Sequence, residues 1–295
     1  MVARSSSNRQ THIGCKWTFK NKLHPNGQIA RHKARLVAQG CSQEFGVNYT
    51  ETFSPVAKMV TIRILLTIAL HNQWPVIQLD VANAFLHGDL SDEIYMKQPA
   101  GFVDPQHPQH VCKLHKSIYE LKQSPRQWFQ KFTTFLQSHG FQFSKADPSL
   151  LLYNQNNIHI FILIYVDDIL IAGNDNTKIT LILKQLHSVF RLKQLGDVSL
   201  FLGIQVHKTK QGYFLHQAHY ARDLLTHAGF LDCKPATTPM GIKRKDPVDD
   251  QLFPDPSHFR KLAGSLQYLS ITRPDIAFTA NSICQHMHKP RVTDY

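Results

Sequence analysis

The sequence predicts an α+β fold built on an antiparallel sheet whose strands deliver carboxylates to one place. Three observations lead there. The run Ile158 to Gly173 consists of two β-branched, apolar segments joined at Asp167-Asp168, which reads as a hairpin with an acidic tip. Val76-Ile-Gln-Leu-Asp-Val81 is another apolar strand, with one carboxylate, Asp80, near its end. Strands and helices alternate irregularly along the chain, which speaks against a doubly wound parallel sheet. Aspartate is depleted in strands and is almost never buried unpaired. Carboxylates at the ends of apolar strands therefore need a cation, and a divalent metal is the simplest partner. Three carboxylates from two strands suit a pair of metal ions of the phosphoryl-transfer kind.

The remaining elements follow in order. Lys16 to Leu23 and Gln28 to Gln39 are alternating strands around His24-Pro-Asn-Gly27, a hairpin signal. Period-two alternation puts Arg31, Lys33 and Arg35 on one face, a row of cations suited to phosphate. Ser54-Pro55 turns into a helix with Ile62, Leu65, Leu66, Ala69 and Leu70 in register up to Trp74-Pro75. After the Asp80 strand, residues 98–110 are rich in Pro, Gln and His and read as a loop. Ser124 as cap and Pro125 as first residue open a helix with a Trp128, Phe132, Phe135, Leu136 stripe that ends at Gly140. Leu150 to Tyr153 is a strand that pairs with the acidic hairpin. A helix carries Ile179, Ile182, Leu183, Leu186 and Phe190. Strands at Val198 to Val206 and Tyr213 to Leu215 meet near Gln211-Gly212. A helix from about Tyr220 closes at Gly229, and the proline-rich stretch 234–257 reads as a linker. Helices carrying Phe259 to Leu269 and starting at Arg273-Pro-Asp275 end the chain.

Composition narrows the partners. Lys and Arg number 33 against 21 Asp and Glu, a net charge of +12, which favours a polyanion such as nucleic acid. A hydrophobic fraction of 42% supports a sizeable core. The cysteines at 15, 41, 112, 233 and 284 form no Cys-x-x-Cys motif, and such scattered thiols fit a reducing, intracellular compartment. His286-Met-His288 has no third ligand at metal-site spacing. The N-terminus is too short and polar for a signal peptide, no apolar run is long enough to span a membrane, and no internal repeat is present.

Tyr165-Val-Asp-Asp168 resembles the catalytic box of reverse transcriptases. Its flanks resemble the copia-type LTR retrotransposon Pol polyprotein in particular: Lys33-Ala-Arg-Leu-Val-Ala-Gln-Gly40, Gln78-Leu-Asp-Val-Ala-Asn-Ala-Phe-Leu-His-Gly88, Leu121-Lys-Gln-Ser-Pro-Arg126, Phe201-Leu-Gly-Ile204 and Thr272-Arg-Pro-Asp-Ile276, in order between about Gly14 and Pro290. The resemblance implies a right-hand polymerase: an unordered N-terminus at 1–13, fingers at 14–78, palm at 79–98, a fingers–palm connection at 99–123, palm with primer grip at 124–210, thumb at 211–233, linker at 234–257 and a helical connection segment at 258–295.

The implied activity is RNA-directed DNA polymerisation, with nucleotidyl transfer from a dNTP to a primer 3′-hydroxyl on an RNA or DNA template. The implied cofactor is a pair of Mg2+ ions, with Mn2+ as a substitute, held by Asp80, Val81, Asp167 and Asp168. Lys33, Arg35, Ala82, Asn83, Ala84, Phe85, Tyr119 and Gln123 are the implied nucleotide contacts, with Phe85 closing the sugar 2′ side. Ser124, Pro125, Arg126, Tyr165, Val166, Leu202, Gly203 and Ile204 are the implied template and primer contacts. The implied partners are an RNA template, a DNA primer–template duplex, dNTPs and other element-encoded Pol and Gag products, without a membrane. The implied location is intracellular, in cytoplasmic virus-like particles, with the nucleus as the alternative.

Two departures stand out. Family members usually carry glycine where this chain has Glu120. Relative to them the chain also begins just before Gly14 and stops before a ribonuclease H domain, with no protease or integrase, as a fragmentary copy would. The competing expectations are an inactive remnant that at most binds nucleic acid, and an unrelated two-metal nuclease.

Overall fold

The computed structural model describes residues 2–4, 12–24, 26–241 and 251–295, the first of these as backbone only. Met1, Pro25 and residues 5–11 and 242–250, the last of these within the expected linker, lie outside the described residues. The chain divides into two compact units, Met1–Asp197 and Val198–Tyr295.

In the first unit, strand β1 (Val2–Arg4) occupies part of the stretch expected to be unordered. β2 (Cys15–Leu23) and β3 (Ile29–Ala38) form the basic hairpin. Helix α1 (Met59–His71) buries Ile62, Leu65, Leu66 and Ala69 and is followed by β4 (Val76–Val81). β5 (Asp89–Lys97) and β6 (Val111–Lys116) flank the 98–110 loop, and β1 pairs with β6. α2 (Ser124–Ser138) precedes β7 (Gln142–Phe143), β8 (Leu150–Gln155), β9 (Ile158–Tyr165) and β10 (Asp168–Gly173). α3 (Asn176–Val189), capped by the Asp175 carboxylate on the Lys178 amide, and β11 (Leu192–Asp197) complete the unit.

The central sheet has the order β11-β4-β10-β9-β8-β7, with every pair antiparallel. One face packs against α2 and α3. There Leu79, Val81, Ile169 and Ile171 meet Trp128, Phe132, Leu136, Ile179, Leu186 and Phe190 in one core. Trp128, Phe132 and Phe190 form an aromatic knot with centroid separations of 5.1–5.4 Å. A second core under β5 and β6 gathers Ile13, Ala38, Ile94, Met96, Leu114 and Leu121.

In the second unit, β12 (Leu200–Phe201), β13 (Ile204–Thr209) and β14 (Gly212–His216) form a small antiparallel sheet. Helices α4 (Ala218–Ala228), α5 (Pro256–Leu269) and α6 (Ala277–Cys284) follow, and Gly229 closes α4 in the left-handed region at φ 74°.

Several elements differ from the sequence reading. Ser124 is the first residue of α2, and Gln123 precedes it as the cap. The Ser124 hydroxyl is committed to the Ile118 carbonyl at 2.6 Å, so it cannot turn back onto the helix. The single strand expected over 198–206 is two strands with a turn, because Leu202 and Gly203 both adopt positive φ, at 51° and 70°, which reverses the chain. β11 is polar and carries Gly196 at a bulge, so it lacks the alternation that marks a strand. β5 and β6 were likewise not foreseen, since β5 opens with the acidic, mostly exposed half Asp89 to Glu93, confines its buried positions to the unbroken run Ile94-Tyr95-Met96, and breaks register between Asp89 and Ile94.

Glu120 adopts φ +67°, a region that favours glycine. A Cβ at the neighbouring Gly40 would run into the Glu120 carbonyl oxygen, so the two chain segments cross closely here. Glu120 is exposed, and neither nearby cation serves it: Arg126 pairs with Glu51 at 2.6 Å and the Lys122 ammonium donates to the Gln43 carbonyl. Glu120→Gly therefore removes a left-handed cost of about 1–2 kcal/mol and should raise the melting temperature. A lower melting temperature in calorimetry would show that the glutamate side chain contributes more than its backbone costs.

Candidate active site

Register brings the acidic residues together. Asp80 on β4 stands directly opposite Asp168 on β10, and Asp167 occupies the turn that starts β10. Directly opposite residues share a face, so Asp80 and Asp168 lie on the side of the sheet away from Leu79 and Ile169. The adjacent β11 places Lys193 opposite Asp80 on its other side.

The turn is strained and held. Tyr165 pairs with Asp168, leaving Val166-Asp167 as a two-residue loop, and Val166 has φ +54°. A β-branched residue there is a steric outlier costing about 1–3 kcal/mol, and turns of this kind favour glycine. Two bonds hold it: the buried Trp128 indole donates to the Val166 carbonyl at 2.6 Å, and the Val81 amide donates to the Asp167 carbonyl at 2.9 Å. The strain thus aims Asp167 out of a rigid core.

Opposite the carboxylates lies the basic face of the β2–β3 hairpin. Arg31, Lys33, Arg35, Asp80, Ala82, Asn83, Tyr119 and Asp167, with Val81, line one open cleft of about 350 Å³. Arg35 stacks over the Tyr119 ring at 5.3 Å from its centroid, and its Nε is buried without a hydrogen-bond partner among the described residues. Burial, with Arg35, Arg31 and Lys22 beyond it, lowers the Lys33 pKa, and Asp80 opposes the shift. Burial, then Asp167 and Asp80, push the Asp168 carboxyl up to about 6, with a hydrogen bond from Gln78 opposing. Asp167 is also raised, by burial and Asp80, against the pull of Arg35 and Lys33. Carboxylates that crowd one another beside cations that crowd one another leave room for a cation on one side and an anion on the other.

No three His, Cys, Asp or Glu side chains among the described residues are grouped so as to enclose a metal ion. The carboxylates nevertheless form an all-oxygen donor set on one sheet end. Magnesium is commonly held by one or two carboxylates with substrate phosphates completing the shell, so a closed protein cage is not required. By themselves the three carboxylates do not enclose an ion, and an ion held here would need substrate oxygens to complete its shell.

Other expected contacts sit elsewhere. Phe85 is half-buried against the core and packs edge-on behind Tyr119 at 5.3 Å. Ala84 is buried. The Val81 amide is used by Asp167 and the Ala82 amide by the Arg191 carbonyl at 2.9 Å, so neither is open to a nucleotide. Gln123 is 0% exposed, and its amide bridges Asn48, Asp92 and Gln43. It ties loops together instead of facing the cleft. Ser124 is buried and Pro125 half-buried, while the Arg126 guanidinium grips Glu51. Tyr165 and Val166 are half-buried beside the acidic turn. Leu202 and Gly203 form the β12–β13 turn in the second unit, and Ile204 opens β13. Sequence reasoning missed Lys193, whose place depends on an unforeseen edge strand, and Trp128's bond to the turn. A buried indole always needs an acceptor, and that was the available signal.

An antiparallel sheet that ends in an acidic, cation-faced cleft suits phosphoryl-transfer chemistry, and comparison makes the family explicit. The model of the reverse transcriptase (RNA-dependent DNA polymerase) family matches residues 2–242, and the chain belongs to that family. It is 46% identical over 281 residues to the retrovirus-related Pol polyprotein from transposon RE2 of Arabidopsis thaliana, covering 95% of this chain and 19% of that protein. It is 44% identical, with the same coverage, to that from transposon RE1 of the same plant. The counterpart from transposon TNT 1-94 of Nicotiana tabacum is 38% identical over 290 residues, covering 94% of this chain and 22% of that protein. These relatives are copia-type Pol polyproteins, and the chain spans about a fifth of their length. No helix among the described residues is long and apolar enough to cross a membrane.

Proposed function

We propose that this chain is an RNA-directed DNA polymerase that adds deoxynucleotides to a primer 3′-hydroxyl on an RNA or DNA template. The observation that carries the reading is the cleft in which Arg31, Lys33 and Arg35 face Asp80 and Asp167. Asp80, Asp167, Asp168 and the Val81 carbonyl would hold two Mg2+ ions, with Mn2+ as a substitute. Bound there, the ions would make the primer hydroxyl a better nucleophile and neutralise charge on the triphosphate and the leaving pyrophosphate.

The protein's own groups do the rest. Lys33 and Arg35 hold the triphosphate, and Arg31 is placed to join them. Asn83 flanks the base and sugar, Ala84 supports that turn from the core, and Tyr119 backs Arg35. Phe85 limits the sugar 2′ side through Tyr119. Gln123, Ser124, Pro125 and Arg126 position the template side from behind, while Tyr165, Val166 and Leu202 to Ile204 contact the primer. The right-hand division into fingers, palm, thumb and connection at the boundaries given above is part of this reading. So are an intracellular site of action and association with other element-encoded products.

Primer extension on poly(rA)/oligo(dT) with Mg2+, then with Mn2+, tests the proposal. No extension with either ion, by protein whose fold is intact, would favour the second reading, a remnant that binds nucleic acid without copying it. The strained Glu120 is the observation on that side. In an active protein, Arg35→Ala should raise KM for dTTP tenfold or more, since a charged hydrogen bond contributes about 1.5–3 kcal/mol, and should leave template affinity within twofold. Equal losses in both would assign Arg35 to the nucleic-acid backbone.

A further inference from the structure

The outer face of the β13–β14 hairpin carries an aromatic row that the polymerase reading does not use. Cross-strand register pairs His207 with Phe214 and Gln205 with His216, so these four share one face. Val206 and Leu215 take the other. Phe214 lies flat on His216, with centroids 5.3 Å apart and planes at 27°, and His207 meets His216 at 4.6 Å. Phe214 is nonetheless 60% exposed.

The row is held in place. The Ala218 amide donates to His216 Nδ1 at 3.3 Å, and the His219 amide donates to Gln205 Oε1 at 3.2 Å. Between Asp197 and Asp223 the sequence contains no Asp or Glu, while Lys208 and Lys210 sit at the hairpin's tip. An exposed, pre-ordered aromatic face in a cationic, acid-free setting matches the pattern by which proteins hold unpaired nucleotides, with rings under the bases and lysines along the phosphates.

We propose that His207, Phe214 and His216 form a stacking platform for the bases of single-stranded nucleic acid, with Lys210 in the hairpin's turn on its backbone. The proposal rests on the reading that the chain binds nucleic acid, but not on its catalysing synthesis. Charge complementarity selects this occupant over a protein surface: the tip is basic, and a flat aromatic ring serves any base.

The test is fluorescence anisotropy of labelled oligo(dT) with the full chain across a salt series, without nucleotide. Phe214→Ala should weaken binding about tenfold, in line with base–aromatic stacking, and leave the salt slope unchanged. Lys210→Gln should instead flatten that slope by ~0.7 for a phosphate that the lysine no longer neutralises. Phe214→Tyr should bind like wild type, and Phe278→Ala, at another exposed aromatic of the same unit, should have no effect. Wild-type affinity in Phe214→Ala would overturn the platform. So would an equal loss on blunt duplex, or a change in sedimentation without a change in affinity, which would mark the face as an interface between copies. A chain inert in primer extension that still loses oligo(dT) affinity on Phe214→Ala sinks the polymerase reading and keeps this one. An active chain indifferent to Phe214→Ala does the reverse.

Discussion

Asp80→Asn should reduce primer extension at least a thousandfold, about 4 kcal/mol of transition-state stabilisation, while making the ion-free protein no less stable. The two effects have one origin. Asp80 faces Asp168 across the strand pair and, with burial and Asp167, helps push the Asp168 carboxyl up to about 6. A carboxyl whose folded pKa is raised binds its proton more tightly in the native state than in the unfolded chain. Its stabilising contribution is therefore complete below about pH 4 and is lost as pH rises through about 6. Without divalent ions the wild-type melting temperature should drop across that window. Asp80→Asn removes one of the repelling charges and should make the drop smaller. Added Mg2+ at pH 8 should restore more stability to wild type than to the variant. Retention of a tenth or more of wild-type extension would sink the role given to Asp80. An unchanged pH–stability profile would show that Asp80 does not load Asp168, and this readout remains available if the wild-type chain does not polymerise.

Removing the indole of Trp128 should have the largest effect on stability. Trp128 is 1% exposed, sits against Phe132 and Phe190, and donates to the Val166 carbonyl. Trp128→Ala should cost about 3–5 kcal/mol through reduced burial and a cavity, a large part of a typical domain's stability. Trp128→Phe separates packing from the hydrogen bond. It keeps much of the ring but leaves the carbonyl of a strained residue unpaired, at about 1–3 kcal/mol. If that bond aims the acidic turn, Trp128→Phe should lower kcat for nucleotide addition by more than it raises KM. Urea unfolding gives the first number and steady-state extension the second. A Phe variant with normal kcat would reduce Trp128 to a packing residue.

Those two residues mark where sequence reasoning succeeds and where it stops. Asp80, Asp167 and Asp168 were legible because a charge in an apolar strand violates the ordinary pattern of burial, and a violation is visible without a structure. The β2–β3 cations were legible because period-two alternation assigns faces directly. Trp128 was legible only as one member of a helical stripe: 3.6-residue periodicity shows that a ring is buried, not which distant carbonyl its N–H will meet. Gln123 shows the opposite case. Its place in a recognisable motif suggested a nucleotide contact, yet its amide is consumed by Asn48, Asp92 and Gln43, partners dozens of residues away.

From sequence alone came the α+β class, the antiparallel acidic hairpin, most helices and the family, because each depends on local periodicity, turn chemistry or ordered motifs. Tertiary structure decided the rest. It set the pairing of Asp80 with Asp168 in register, the edge strand that brings Lys193 beside them, the positive φ of Val166, Leu202 and Glu120, and the commitment of the Val81 and Ala82 amides. The reason is physical. Register and backbone strain are set by the summed packing of residues far apart in the chain, and no single window of sequence contains that sum.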